Sequence, residues 1–192
     1  MSHHPPAPPV GRLEVICGPM FVGKTTELIR RLSAAREAGL SVRAVKHRLD
    51  DRYDAAALAT HDGRRIGAST IVQPEELLAF SEAVIGLDEA HFFKSGLHEV
   101  VMQMLGDNRR VILAGLDRTS LNQPFGEMGR LLIEADEVTK FAGQCAICGD
   151  IAVHTVRLFD STEDVVVGGA GMFENRCRRH LSVSSSSTSS DS

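Results

Sequence analysis

The chain has 192 residues, of which 43% are apolar and 24% charged, and a net charge of −4 at pH 7. That is the profile of a soluble globular protein with one ordinary domain and a small appendage. The acidic balance gives no electrostatic reason to expect DNA or RNA as a partner, and no apolar run approaches the roughly 18 residues of a membrane helix. The proline-rich start lacks the apolar stretch of a signal peptide, so no membrane association and a cytoplasmic setting are expected. Thiols stay reduced there, and the four Cys are not read as two disulfides.

In chain order, residues 1–10 read as a disordered tail. Leu13 to Cys17 is short, apolar and β-branched, as a buried strand requires. Gly18-Pro19-Met20-Phe21-Val22-Gly23-Lys24-Thr25 follows and spells G-x-x-x-x-G-K-[ST]. From Thr26 onward Leu28, Leu32 and Ala35 fall on one helical face, and Gly39 is a plausible end. Strand, glycine loop and helix together form the context in which backbone N–H groups and a helix N-terminus cradle phosphates. Lys24 would reach the β- and γ-phosphates, and the Thr25 hydroxyl would serve Mg²⁺. A chance glycine turn is the bland alternative, but it leaves the flanking strand and helix unexplained.

Leu40 to Lys46 reads as a second strand, and the polar, weakly periodic stretch 48–70 as a loop. Pro74 to Phe80 suggests a helix with Pro near its start. Ala83 to Leu87 is a buried strand running into Asp88-Glu89. A phosphate loop needs a carboxylate near its Mg²⁺, and Asp88 fits that role, with Glu89 beside it as a candidate base. Two solvated acids capping a helix are the simpler alternative. The run Asp88-Glu89-Ala90-His91 also matches a helicase box, but one α/β unit of this length cannot supply the two lobes of such a motor, which leaves a single-lobed ATPase of another kind as the rival reading. Leu97 to Leu105 has helical spacing, Arg110 to Leu116 reads as a buried strand and Val138 to Phe141 as a shorter one. The alternation predicts a mostly parallel sheet with helices on both faces, in residues 11–141.

Cys145-x-x-Cys148 and Cys177-x-x-His180 are two ligand pairs, each with a two-residue spacer. The spacer lets two ligands of one turn point at the same tetrahedral ion, so a structural Zn²⁺ with no open position is expected. A redox dithiol at Cys145 and Cys148 would leave the second pair unexplained. Ala152 to Phe159 and Asp164 to Val167 look like a hairpin, followed by Gly168-Gly169-Ala170-Gly171. That stretch reads equally as a ligand-facing backbone lobe or as a merely mobile loop. The small domain is placed at residues 142–181, with a Ser-rich disordered tail at 182–192. Cys17 reads as a packed core thiol.

The phosphate loop, the acid pair and the ligand quartet, in this order and in so short a chain, resemble the thymidine kinases of the human cytosolic and common bacterial type. The likeness runs from Glu14 to His180 and includes Gly18 to Leu28, Asp51-Arg52-Tyr53, Thr60-His61-Asp62, Asp88-Glu89-Ala90 with Phe92-Phe93, Gly115-Leu116-Asp117, Pro124-Phe125-Gly126 and Val167-Gly168-Gly169-Ala170. The resemblance implies a P-loop, RecA-like fold with a zinc-ribbon-like lasso, and ATP-dependent phosphorylation of the thymidine 5′-hydroxyl. By the same likeness Glu89 is the general base, with Arg52 and Lys24 at the reacting phosphates. Gly18, Pro19, Met20, Phe21, Val22, Gly23, Lys24, Thr25, Thr26 and Asp88 would bind ATP and Mg²⁺. Met20, Phe92, Leu116 and Phe125 would line the thymine pocket, Phe173 would cover the base, and the Val166, Val167, Gly168 and Gly169 backbone would read the pyrimidine edge. A homotetramer and feedback inhibition by thymidine triphosphate are further implications. Val22, His91, Ser120 and Phe173 depart from the expected Ser, Gln, aromatic residue and Tyr.

Overall fold

The computed structural model describes residues 10–49, 57–59, 65–159 and 171–181. Its centre is a seven-stranded sheet built from β1 (Arg12–Cys17), β2 (Val42–His47), β3 (Ala57–Ala59), β4 (Arg65–Ile71), β5 (Val84–Asp88), β6 (Arg110–Gly115) and β7 (Glu137–Lys140). The order across the sheet is β3-β4-β2-β5-β6-β1-β7, and every pairing is parallel except β3 with β4.

Alternation along the strands decides which helix covers which face. Leu13, Val15 and Cys17 point one way, with Ile85, Leu87, Val111 and Leu113, and pack against α2 (Leu97–Gly106) and α3 (Met128–Glu134). Ile16, Ala44, Ile112 and Ala114 point the other way, onto Leu28, Ile29, Leu32 and Ala35 of α1 (Lys24–Glu37). Apolar residues at spacings of three and four make α1 amphipathic. It stops where Gly39, at φ 84°, takes up the left-handed turn and Leu40 N–H reaches back to the Ala35 carbonyl.

Chain direction then creates the crevice. From β1 the chain passes through α1 over one face to β2, and from β6 it passes through α3 over the other face to β7. The adjacent strands β1 and β6 therefore send their connections apart, and a cleft opens at their carboxyl ends, where open α/β sheets take ligands.

Beyond the sheet, β8 (Gly143–Gln144) pairs with β9 (Ile151–Ala152), and β10 (His154–Arg157) pairs antiparallel with β11 (Phe173–Arg176). The strand near 152–159 pairs with Phe173–Arg176, and residues 164–167, expected as its hairpin partner, lie outside the described residues. Three expectations are corrected. The stretch 48–70 contains β3 and β4 rather than only loop; β4 carries Gly67, Ala68, Ser69 and Thr70, small or polar residues that hide its period, yet its Ile66 and Ile71 are buried. Pro74–Ala79 is a 3₁₀ stretch, not an α-helix: Glu76 accepts the Val72 and Gln73 N–H groups at 2.8 Å each, and six residues do not repay α-helix nucleation. Finally α3 was not foreseen, being seven residues long with Gly129 inside it. No described helix is long and apolar enough to cross a membrane.

Candidate functional site: a phosphate loop beneath a metal-ligand lobe

Residues 18–25 leave the carboxyl end of β1 and turn directly into α1, as the motif requires. Gly18 has φ 132°, and a Cβ there would lie 2.5 Å from the Phe141 carbonyl oxygen, so only glycine passes under the end of β7. Phe21 at φ 62° and Gly23 at φ 85° complete the curl. Lys24 Nζ donates to the Pro19 carbonyl at 2.6 Å, which holds its ammonium inside the loop. Burial lowers the Lys24 pKa from its ordinary value, against the upward pull of Glu89, Asp88 and Asp117. The Pro19 contact keeps the ammonium at the loop, where the motif calls for a cation.

From the end of β5, Asp88 faces the loop. The Thr25 hydroxyl donates to Asp88 Oδ2 at 2.8 Å, and the Glu89 N–H donates to Asp88 Oδ1 at 3.0 Å. Two hard oxygens side by side, one hydroxyl and one carboxylate, suit Mg²⁺. Glu89 itself sits at φ 53°, ψ 39°, a conformation that costs a non-glycine residue about 1–3 kcal/mol and collects at functional positions.

The turn Ala90–Phe92 then buries His91, whose Nδ1 accepts the Leu116 N–H at 3.1 Å. A ring nitrogen that accepts a backbone N–H carries no proton, so the hydrogen of neutral His91 is on Nε2. The same ring lies 4.3 Å from Phe92 and 4.5 Å from Phe125, and Phe92 meets Phe125 edge-on at 6.4 Å. The histidine in place of the expected Gln therefore organises an aromatic wall as well as making a hydrogen bond. It gathers Phe92, Leu116 and Phe125, three of the residues expected at the nucleoside.

Met20, another of them, is held from the other side by the small lobe. Thr155 Oγ1 on β10 accepts the Met20 N–H at 2.9 Å, and Asn175 Nδ2 on β11 donates to the Met20 carbonyl at 2.8 Å. Phe173, buried, opens β11 and packs edge-on against Phe159. Arg118, just beyond Leu116, approaches His154 Nδ1 of β10 at 3.3 Å, so the lobe touches both sides of the crevice. Lys140 donates to buried Asp117 at 2.6 Å.

Sequence reasoning passed over Thr155, Asn175, Asp117 and Lys140. Asp117 stood inside the quoted Gly-Leu-Asp run, and that was its one available signal. Arg52 and Val166, Val167, Gly168 and Gly169 lie outside the described residues. Pro19, Val22 and Thr26 sit in or beside the loop as expected. Cys17 is a buried thiol pushed up to about 11 by burial and by Asp117, in keeping with a packing role.

The ligand atoms of Cys145, Cys148, Cys177 and His180 all lie within 4.8 Å of one another. The Cys148–Cys177 sulfur separation is 3.7 Å, Cys145 Sγ to His180 Nδ1 is 3.6 Å and Cys177 Sγ to His180 Nδ1 is 3.3 Å. A tetrahedron with metal–sulfur bonds of about 2.3 Å has edges of about 3.8 Å. The four side chains can hold a metal ion. Burial works to raise the Cys145 thiol, but the N–H groups of Cys177, Cys148 and Ile147 outweigh it and bring it down to about 6. Against the pull of the Asp150 N–H, burial and the hydrogen bonds with Cys145 and Cys177 push Cys148 the other way, up to about 11, and metal binding would displace its proton.

The family model described as thymidine kinase matches residues 11–181. The chain belongs to the thymidine kinase family. A thymidine kinase of a Rhodothermus species (strain ITI 518) is 44% identical over 172 residues, covering 88% of this chain and 81% of its own length. Those of Coprothermobacter proteolyticus and Bacteroides thetaiotaomicron are 42% and 41% identical, covering 90% and 88% of this chain and 91% and 85% of their own. Membership makes the chain a nucleoside kinase.

Proposed function

We propose that the protein transfers the γ-phosphoryl group of ATP to the 5′-hydroxyl of thymidine, giving thymidine monophosphate, with deoxyuridine as a poorer acceptor. The observation that carries this reading is the meeting of two carboxylates with the phosphate loop: Asp88 bonded to Thr25, and Glu89 next to it in a left-handed turn. Glu89 takes the proton of the 5′-hydroxyl as that oxygen bonds to the γ-phosphorus and the bond to ADP breaks. Lys24 and the loop N–H groups from Gly18 to Thr26 hold the phosphates. Thr25 and Asp88 would hold the Mg²⁺ that accompanies ATP, which neutralises phosphate charge when bound. Phosphoryl transfer asks little covalent chemistry of the protein, so charge placement and exclusion of water carry the rate.

Phe92, Leu116, Phe125 and Met20 form the proposed thymine pocket, with Phe173 over the base. Arg52 at the phosphates and the 166–169 backbone at the pyrimidine edge complete the proposal. Zn²⁺ at the quartet is structural, since four protein ligands leave no position open for a substrate. We assign residues 11–141 to the catalytic domain and 142–181 to the lobe that closes over the nucleoside. A cytoplasmic homotetramer restrained by thymidine triphosphate belongs to the same reading.

The test is acceptor discrimination. Thymine and uracil present an N3–H donor and an O4 acceptor, whereas cytosine reverses both. A backbone that reads this edge leaves groups unpaired against cytosine, at about 1–3 kcal/mol each, so kcat/KM for deoxycytidine should fall at least about a hundredfold. Deoxyuridine loses only a methyl contact of about 1 kcal/mol. Comparable efficiency on deoxycytidine in a competition assay would refute the reading.

A further inference from the structure

We propose that Asn175 is a positioning residue for the triphosphate: by holding the Met20 carbonyl it turns the Phe21 N–H toward the phosphates. The inference rests on the kinase reading above and adds to it a residue of the metal-ligand lobe.

A carbonyl oxygen only accepts, so the Asn175 atom 2.8 Å from Met20 O is the amide nitrogen. The other amide atom, Oδ1, accepts from the Thr155 hydroxyl at 3.4 Å, while Thr155 Oγ1 accepts the Met20 N–H at 2.9 Å. The lobe thus holds the two peptide planes that flank Met20. In a trans peptide the carbonyl and the following N–H point in opposite directions, and the chain has no cis bond among its described residues. Met20 N–H points to the lobe, so Pro19 O points away from it, and Lys24 Nζ lies there at 2.6 Å. That side is therefore the phosphate side. Met20 O also points to the lobe, so Phe21 N–H points away from it, to the same side as the Lys24 ammonium. The left-handed φ of 62° at Phe21 is the backbone cost of this turn.

Two features fix Asn175 itself. Its carbonyl accepts the Ala146 N–H at 2.9 Å, inside the Cys145–Cys148 turn, and it stands two residues before Cys177. Gly143 leaves space for its amide: a Cβ at Gly143 would lie 2.6 Å from Asn175 Nδ2.

The discriminating variant is Asn175→Asp, which keeps the size of the side chain but sets an oxygen against the Met20 carbonyl. A filler of space would tolerate Asp better than Ala; a donor that orients a peptide would not. Calorimetry with a non-hydrolysable ATP analogue should show binding weakened about tenfold or more in Asn175→Asp and less in Asn175→Ala. Gly143→Ala, whose methyl would press hardest on the Asn175 amide at 2.6 Å and less on Val22 at 3.2 Å, should weaken binding in the same direction as Asn175→Ala, and the double variant should lose less than the sum of the two. If wild type does not bind the analogue, the kinase reading fails. If wild type binds and Asn175→Asp binds within about twofold of it, the inference alone is overturned. Should Asn175→Asp not fold, the Gly143→Ala and Asn175→Ala pair decides, and additive losses would overturn the proposal.

Discussion

Glu89 occupies a left-handed turn between the end of β5 and the buried His91, with its N–H spent on Asp88. That backbone bond fixes where the side chain starts, and the His91 ring lies 3.4 Å from its carboxylate. Replacing Glu89 by Gln keeps length and hydrogen bonding but removes the basic oxygen. Turnover should fall about 10²–10⁴-fold while thymidine and ATP still bind. Single-turnover kinetics with calorimetry on the same sample would separate the two effects, and near-wild-type chemistry would remove Glu89 from its role. Residues such as Lys24, Thr25 and Asp88 were legible because their spacing along the chain is itself the chemistry. Thr155 and Asn175 were not, since they meet Met20 across 135 and 155 residues and no local pattern records that contact.

At the scale of elements, the junction of β1, α1, β6 and β7 is held by a buried carboxylate. Glu14 Oε2 accepts Arg31 Nη1 at 2.7 Å, and its Oε1 accepts Arg110 Nε at 2.7 Å. Arg31 in turn reaches Glu27, Glu137 and Thr139. Burial works against the Glu14 carboxylate, but the hydrogen bonds of Arg110 and Arg31 outweigh it and hold its pKa below the ordinary range. Glu27, bound by Arg30 and Arg31, is brought down to about 2. Both groups bind protons less readily in the folded state. Their stabilisation is therefore complete above the ordinary carboxylate value and is lost as pH falls through the folded values. Stability should decline in acid below about pH 4.5, and Glu14→Gln should flatten that decline. At neutral pH the same variant should lower stability by about 2–3 kcal/mol, less than a fully buried pair would, because Arg110 is 31% exposed and Arg31 keeps other partners. Melting curves across pH would show it; an unchanged acid slope would contradict the assignment. Strong apolar runs made β1, β5 and β6 readable in advance. The short β3 and α3, and β4 with its run of small and polar residues, carried no such signal, because tertiary packing and not local pattern holds them.

For the whole molecule, the question is what keeps the small lobe folded against the phosphate loop. Among its described residues, Cys145, Ala152 and Cys177 form a buried apolar cluster, and two of those three are members of the ligand quartet. Even with Phe173 also buried, so small a cluster offers little against the entropy of ordering the described residues of the lobe, and a metal ion at the quartet would help to offset that cost. The quartet was legible from spacing alone, but its consequence was not. The Cys145–Cys148 turn fastens Asn175 through the Ala146 N–H, and Asn175 fastens Met20, so a metal ion at the quartet would stand behind the phosphate loop as well as the lobe. Purified protein should carry about one zinc per chain, set by one full ligand set. Cys148→Ser, or treatment with a strong chelator, should lower the melting temperature by about 5–10 °C. It should also weaken thymidine and the ATP analogue together, where damage to the nucleoside lobe alone would weaken thymidine only. Metal analysis, thermal melting and calorimetry on one preparation would decide. Metal-free protein that folds normally and binds both ligands with native affinity would break the link between the quartet and the loop.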